Sequence, residues 1–84
     1  MVVVIETYFM EHLVRCPLDF QLKFRKIYQQ LKVAEDPLEI QGIRFYKKGK
    51  YKIFIDNSRI AMKVKGDTAT IGQFLHNEFY SFED

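Results

Sequence analysis

Four side chains near the end of this sequence have the chemistry to act on an anionic substrate: Lys52, Arg59, His76 and Tyr80. A guanidinium binds two oxygens of one anion in a fixed fork, and an ammonium adds a compact positive charge. An imidazole with an unperturbed pKa of about 6.5 gives or takes a proton at neutral pH. A phenol near pKa 10 can donate a proton or stack a ring, and needs help to act as a base. Scission of a phosphodiester by its own neighbouring hydroxyl calls for such groups. It needs a base for the hydroxyl proton, cations for the charge on the phosphorane, an acid for the leaving oxygen, and in-line geometry. Placed acid–base groups contribute about 10²–10⁴-fold to such a step.

Three strand-like runs must bring these residues together. Tyr51–Ile55, Arg59–Val64 and Thr68–Leu75 each alternate, and they are separated by Asp56-Asn57-Ser58 and Lys65-Gly66-Asp67, residues that favour turns. Because alternate strand residues share a face, Ile60, Met62 and Val64 point one way and Arg59, Ala61, Lys63 and Lys65 the other. By the same parity Tyr51, Ile53 and Ile55 face inward, leaving Lys50, Lys52 and Phe54 outward. In the last run Ala69, Ile71, Gln73 and Leu75 form the inward set, with Thr70, Gly72, Phe74 and His76 outward. The outward face then collects cations (Lys48, Lys50, Lys63 and Lys65 beside Lys52 and Arg59) with the rings of Phe54 and Phe74. Cations for phosphates and rings for stacking are what single-stranded RNA requires. A solvated sheet face with scattered lysines is the plainer alternative.

The N-terminal half supplies the packing partner for such a sheet. Val2–Ile5 is wholly apolar and β-branched, which suits a strand buried on both sides or paired inside a sheet. Tyr8–Arg15 reads as a short helix with Thr7 as N-cap, ended by Cys16-Pro17. A second helix begins at Pro17, with Asp19 near its positive end and a stripe of Phe20, Phe24, Ile27, Tyr28 and Leu31. Asp36-Pro37 stops it, and residues 37–42 form a linker with room for one helical turn. Ile43–Lys47 is a strand or an irregular lead-in, followed by a turn or bulge at Lys48-Gly49-Lys50. The expected fold class is α+β: an N-terminal strand, a helical hairpin, then a three- to four-stranded antiparallel meander with helices on one face.

The chain has 84 residues, the size of a single domain (1–84), and its eight Phe and five Tyr can build a core from few positions. Its net charge of +2 is too small to name a partner, but the charge is segregated. Between Gly42 and Lys65, Arg44, Arg59 and a series of lysines face one acid, Asp56. One cysteine, Cys16, excludes an internal disulfide and a cysteine-based metal site. The two histidines and scattered acids show no ligand spacing, so neither metal nor cofactor is expected. No run approaches membrane-spanning length and Glu6 interrupts the first apolar stretch, so the expectation is a cytoplasmic protein with no membrane partner.

In order and spacing, these features resemble the RelE/ParE superfamily of type II toxin–antitoxin toxins over nearly the whole chain. The resemblance is carried by an N-terminal strand entering a helical hairpin, and by the linker Leu38-Glu-Ile-Gln-Gly42. Tyr51-Lys52-Ile53, Ser58-Arg59-Ile60 and the closing His76-Asn-Glu-Phe-Tyr80 continue it. It implies a RelE-like toxin domain similar to RelE, YafQ and HigB, which cut mRNA in the ribosomal decoding site with basic residues plus His or Tyr. By position, Lys52 and Arg59 look like the family's hairpin lysine and arginine, His76 like its histidine and Tyr80 like its C-terminal tyrosine. The resemblance thus implies a ribosome-dependent mRNA endonuclease that inhibits translation without a metal, with a cognate antitoxin and ribosome-bound mRNA as partners. Two alternatives accompany it: a ParE-like, non-enzymatic inhibitor of a type II topoisomerase (gyrase), and a catalytically degenerate relative that binds RNA or a partner. Phe54, standing where RelE-like members often carry a second basic residue, speaks for the last.

Overall fold

The computed structural model describes residues 1–75. β1 (Val2–Ile5) leads into α1 (Thr7–Leu13) and α2 (Leu18–Val33), and one 3-10 turn (Pro37–Glu39) hands the chain to the sheet. There β2 (Ile43–Lys47), β3 (Lys50–Ile55), β4 (Ser58–Lys65) and β5 (Thr68–Leu75) follow one another as an antiparallel meander. β1 pairs in parallel with β5, and the order across the sheet is β1-β5-β4-β3-β2. The α+β architecture, the helical pair and the meander match the expectation from sequence.

α2 forms where its apolar stripe dictates. Phe20, Phe24, Ile27 and Leu31 are buried, and Tyr28 packs against the same core half-buried. They meet Ile53 and Ile55 of β3, Ile60 and Met62 of β4, and Ala69 and Ile71 of β5, all on one face of the sheet. Burying one such large side chain contributes about 1.5–3 kcal/mol, and Leu31, Ile53, Ile60, Met62 and Ile71 are among those withdrawn fully from solvent. Pro17 precedes the helix as N-cap, so Leu18 is the first helical residue. At the other end the Met1 ammonium donates to the Lys32 carbonyl at 2.9 Å, offsetting the negative end of the helix. The 3-10 turn is held by a capping box: Asp36 Oδ1 accepts from the Leu38 N–H at 2.9 Å, and Glu39 Oε2 accepts from the Asp36 N–H at 3.0 Å.

Two expectations for the N-terminal segment are corrected. β1 is an edge strand, with Val2 56% and Val4 44% exposed on the face away from the helices. α1 and α2 carry the chain across one face of the sheet to β2 at the far edge, and the meander then returns β5 to pair with β1, which leaves β1 at the edge outside β5. Thr7 is not the N-cap of α1. The Glu6 carbonyl already accepts the Met10 N–H at 3.0 Å, so Glu6 holds the cap position with extended backbone and no side-chain cap bond.

The β3–β4 hairpin turns through Asp56 and Asn57, with Asp56 in the left-handed region at φ 53°. Aspartate tolerates that conformation better than most residues. Its carboxylate takes the Lys23 ammonium of α2 at 2.7 Å. The hydrogen bond and charge of Asp56 hold the Lys23 amine above its ordinary 10.5. Gly42 sits at φ 98°, where a Cβ would lie 3.1 Å from the Phe54 carbonyl oxygen, so glycine is needed where the linker enters β2. Among the described residues, no helix is long and apolar enough to cross a membrane.

Candidate nucleic-acid interface

The face of the sheet turned away from the helices is built by strand parity and then altered by one bulge. Across β2, β3 and β4 the residues facing each other are Arg44, Lys52 and Ala61 in one row, and Phe54 and Arg59 in the next. Lys50 lies opposite Lys63 in a third row. Lys50, Lys52, Phe54, Arg59 and Lys63 therefore share the open face, as their alternation requires. Lys65 closes β4 on the same side, and Lys48 sits exposed in the β2–β3 turn.

Phe74 departs from the expected face. Ala61 pairs with Gln73 and Met62 with Ile71, so Gly72 is an extra residue in β5 with no partner of its own on β4. One inserted residue inverts the parity of everything that follows it. Phe74 consequently points to the helices, its ring 4.8 Å from Phe9, 5.9 Å from Phe20 and 6.1 Å from His12. Gln73 and Leu75 turn to the open face instead, where buried Leu75 packs with Ala61. Phe74 is a core residue at the helix–sheet boundary and is not placed to stack a base on the cationic face. His76 and Tyr80 lie outside the described residues.

Two open-face residues were not singled out in the sequence. Arg44 lies opposite Lys52, with its guanidinium carbon 5.8 Å from the centroid of Phe54. Tyr46 receives the Lys52 ammonium at 4.5 Å and the Lys47 ammonium at 5.8 Å from its ring centroid. The signal was present in the alternation Ile43-Arg44-Phe45-Tyr46 once that run is taken as a strand. The register shift between Phe45 and Lys47 then sets Tyr46 beside Lys52. Cation–ring packing of this kind holds ammonium and guanidinium groups over the sheet without neutralising them. Arg44, Lys52 and Arg59 have no ion pair with an acid among the described residues, where Lys23 pairs with Asp56. Among the described residues the result is a cationic strip without acidic partners, with two aromatic rings in it.

Towards β1 the same face falls into a groove of about 320 Å³ lined by Glu6, Tyr8, Ala61, Lys63, Thr70, Gly72 and Gln73. His12, the one histidine among the described residues, is half-buried with its ring 4.6 Å from Tyr8. Among the described residues no group of three or more His, Cys, Asp or Glu side chains could hold a metal ion.

No family model matches the chain, and no curated protein matches it significantly. Among solved structures it is similar to a chain of the RelB-RelE antitoxin-toxin complex from Methanococcus jannaschii. The TM-score is 0.74 at 21% identity, over 87% of this chain and 88% of that one. The fold is RelE-like. In this RelE-like fold the open face of the meander carries Arg44, Lys52, Phe54 and Arg59, while the helix pair covers the other face.

Proposed function

We propose that this chain is the toxin of a type II toxin–antitoxin pair and that it cleaves mRNA on the ribosome, arresting translation. The observation carrying the reading is the strip of Arg44, Lys52 and Arg59 on the open face of a RelE-like sheet, without acidic partners among the described residues. Phosphate contacts of this kind supply affinity for any single strand, and the rings of Phe54 and Tyr46 add stacking surface.

In the proposed reaction the 2′-hydroxyl of one nucleotide attacks the adjacent phosphorus. An O2′–P bond forms, the P–O5′ bond breaks, and the products are a 2′,3′-cyclic phosphate and a 5′-hydroxyl. Arg59 holds two phosphate oxygens in its fork and Lys52 stabilises the charge that grows on the phosphorane. His76 transfers the proton, and Tyr80 stacks a base or donates to the leaving oxygen. These last two roles rest on the family resemblance of the His76-Asn-Glu-Phe-Tyr80 ending. Lys48, Lys63 and Lys65 extend the phosphate track, while Lys50, expected there from the sequence, has its ammonium nitrogen buried; the reaction uses no metal.

The antitoxin partner is assigned to the opposite side. Between α1 and α2 an apolar groove of about 430 Å³ is lined by Met10, Leu13, Leu18, Leu22 and Tyr28 among others. Leu18 is 70% and Leu22 55% exposed, unusual for leucines on a helix that already buries its other stripe. An amphipathic antitoxin segment fits such a groove. The test is mRNA cleavage by the purified protein with and without ribosomes, comparing wild type with Lys52→Ala and Arg59→Ala. Ribosome-dependent cutting that both variants lose supports the reading, and equal cutting by all three defeats the residue assignment.

A further inference from the structure

We infer that the groove bounded by Glu6, Tyr8, Lys63 and Gln73 reads a guanine base of the RNA substrate, so that this chain carries a base-selecting subsite beside its phosphate-binding strip. The inference deepens the proposed nuclease function and rests on it for the identity of the ligand as RNA.

The bulge builds the site. Gly72 and Ala61 give the groove a floor without bulky side chains, and Glu6, which follows the last β1–β5 pair, lies over that floor. Its Oε1 is 3.2 Å from where a Gly72 Cβ would stand, so a side chain at 72 would crowd the carboxylate. Glu6 occupies an N-cap position yet caps nothing, and its carboxylate has no hydrogen bond or ion pair among the described residues. It is therefore available to a ligand, on a face otherwise dominated by cations.

The chemistry of that group narrows the ligand. An ionised carboxylate only accepts hydrogen bonds. Guanine presents two adjacent donors, N1–H and the N2 amino group, which match its two oxygens. Adenine and cytosine offer one amino group beside a ring nitrogen whose lone pair the carboxylate repels. Uracil offers one N–H between two carbonyls. Tyr8 is 56% exposed at the groove wall and supplies a face for stacking, while Thr70 and Gln73 can bond the remaining edge. The groove lies one strand from the phosphate strip: Gln73 pairs with Ala61, and Ala61 with Lys52. The groove therefore adjoins the strip, since Ala61 of its floor is the strand neighbour of Lys52.

The experiment has two arms. Cut sites on ribosome-bound mRNA are mapped by primer extension for wild type and Glu6→Gln. In parallel, backbone amide shifts of the wild type and of Glu6→Gln are followed by NMR as GMP, AMP, CMP or UMP is added. Gln keeps the shape of Glu6 on an exposed position but replaces one acceptor with a donor, which costs guanine about tenfold in preference. The inference expects guanine at one fixed position of the wild-type cut sites and loss of that preference in Glu6→Gln. It also expects GMP to move the Thr70, Gly72 and Gln73 amides at lower concentration than the other nucleotides, again lost in Glu6→Gln. An unchanged cut-site pattern in Glu6→Gln overturns the inference and leaves the nuclease reading intact. If the wild type cuts nothing while GMP still binds selectively through Glu6, the groove stands and the nuclease reading falls. If no nucleotide is preferred at those amides, the inference is overturned.

Discussion

The Lys52 ammonium rests 4.5 Å from the centroid of the Tyr46 ring, while the row beside it sets Arg59 opposite Phe54. One cation is thus held over a ring from β2, and the other stands next to a ring from β3. This arrangement keeps both charges on the open face, ready for an anionic ligand. Removing either charge should leave the core untouched. Lys52→Ala and Arg59→Ala are expected to lower mRNA cutting by about 10²–10³-fold, as for loss of a group that stabilises transition-state charge. Far-ultraviolet circular dichroism and thermal melting should match wild type. Melting that collapses along with activity would recast these residues as structural.

Arg44 should behave as a positioning contact for the RNA backbone. It sits opposite Lys52 and against Phe54, so Arg44→Ala removes one phosphate contact without removing the groups proposed for the phosphorane. Binding of a short single-stranded RNA should weaken, and the slope of log K against log salt should fall by about 0.7. A slope equal to that of wild type would take Arg44 out of the interface.

Phe74 offers a sharp separation between two faces of the sheet. Its ring packs on Phe9 and Phe20, so Phe74→Ala is expected to cost about 3 kcal/mol of stability, measured by denaturant unfolding. The affinity of the remaining folded protein for RNA should be unchanged. A stable Phe74→Ala variant with weakened RNA binding would mean that the ring stacks bases.

Gly42 carries a backbone demand set by its left-handed conformation. At φ 98° with the Phe54 carbonyl 3.1 Å from a Cβ position, Gly42→Ala combines strain with a clash. The expected cost is about 1–3 kcal/mol, read as a fall in the unfolding midpoint with an unchanged m-value. Wild-type stability in this variant would show that the linker relaxes freely.

The α1–α2 groove predicts a different phenotype. Leu18→Asp and Leu22→Asp place charge on exposed apolar positions, so they should fold and cut RNA as wild type does. Co-expression with the antitoxin should no longer rescue growth, because an apolar helix face cannot accept the carboxylate without loss. Full rescue by the antitoxin would move its binding surface elsewhere.

Much of this architecture was legible because its signals are local. The stripe Phe20, Phe24, Ile27 and Leu31 marks α2, and simple alternation correctly sorts Lys52, Phe54, Arg59 and Lys63 in β3 and β4. What escaped was non-local. Nothing in Val2–Ile5 distinguishes an edge strand from an interior one; the return of the meander, which ends with β5 beside β1, decides it. Gly72 gives no sign by itself that it bulges, and that one residue reverses the face of Gln73, Phe74 and Leu75. Arg44 and Tyr46 were hidden by the ambiguity of their short strand, whose last four residues are all exposed. His76 and Tyr80, the residues suggested by the family resemblance, lie outside the described residues and enter the mechanism as proposals.

Incubation of purified protein with mRNA, alone and on programmed ribosomes, tests the central claim most directly. Cuts are expected only where ribosomes are present, bearing 2′,3′-cyclic phosphate ends and lost in Lys52→Ala and Arg59→Ala. Intact message under both conditions, together with inhibition of gyrase supercoiling by the same preparation, would contradict it.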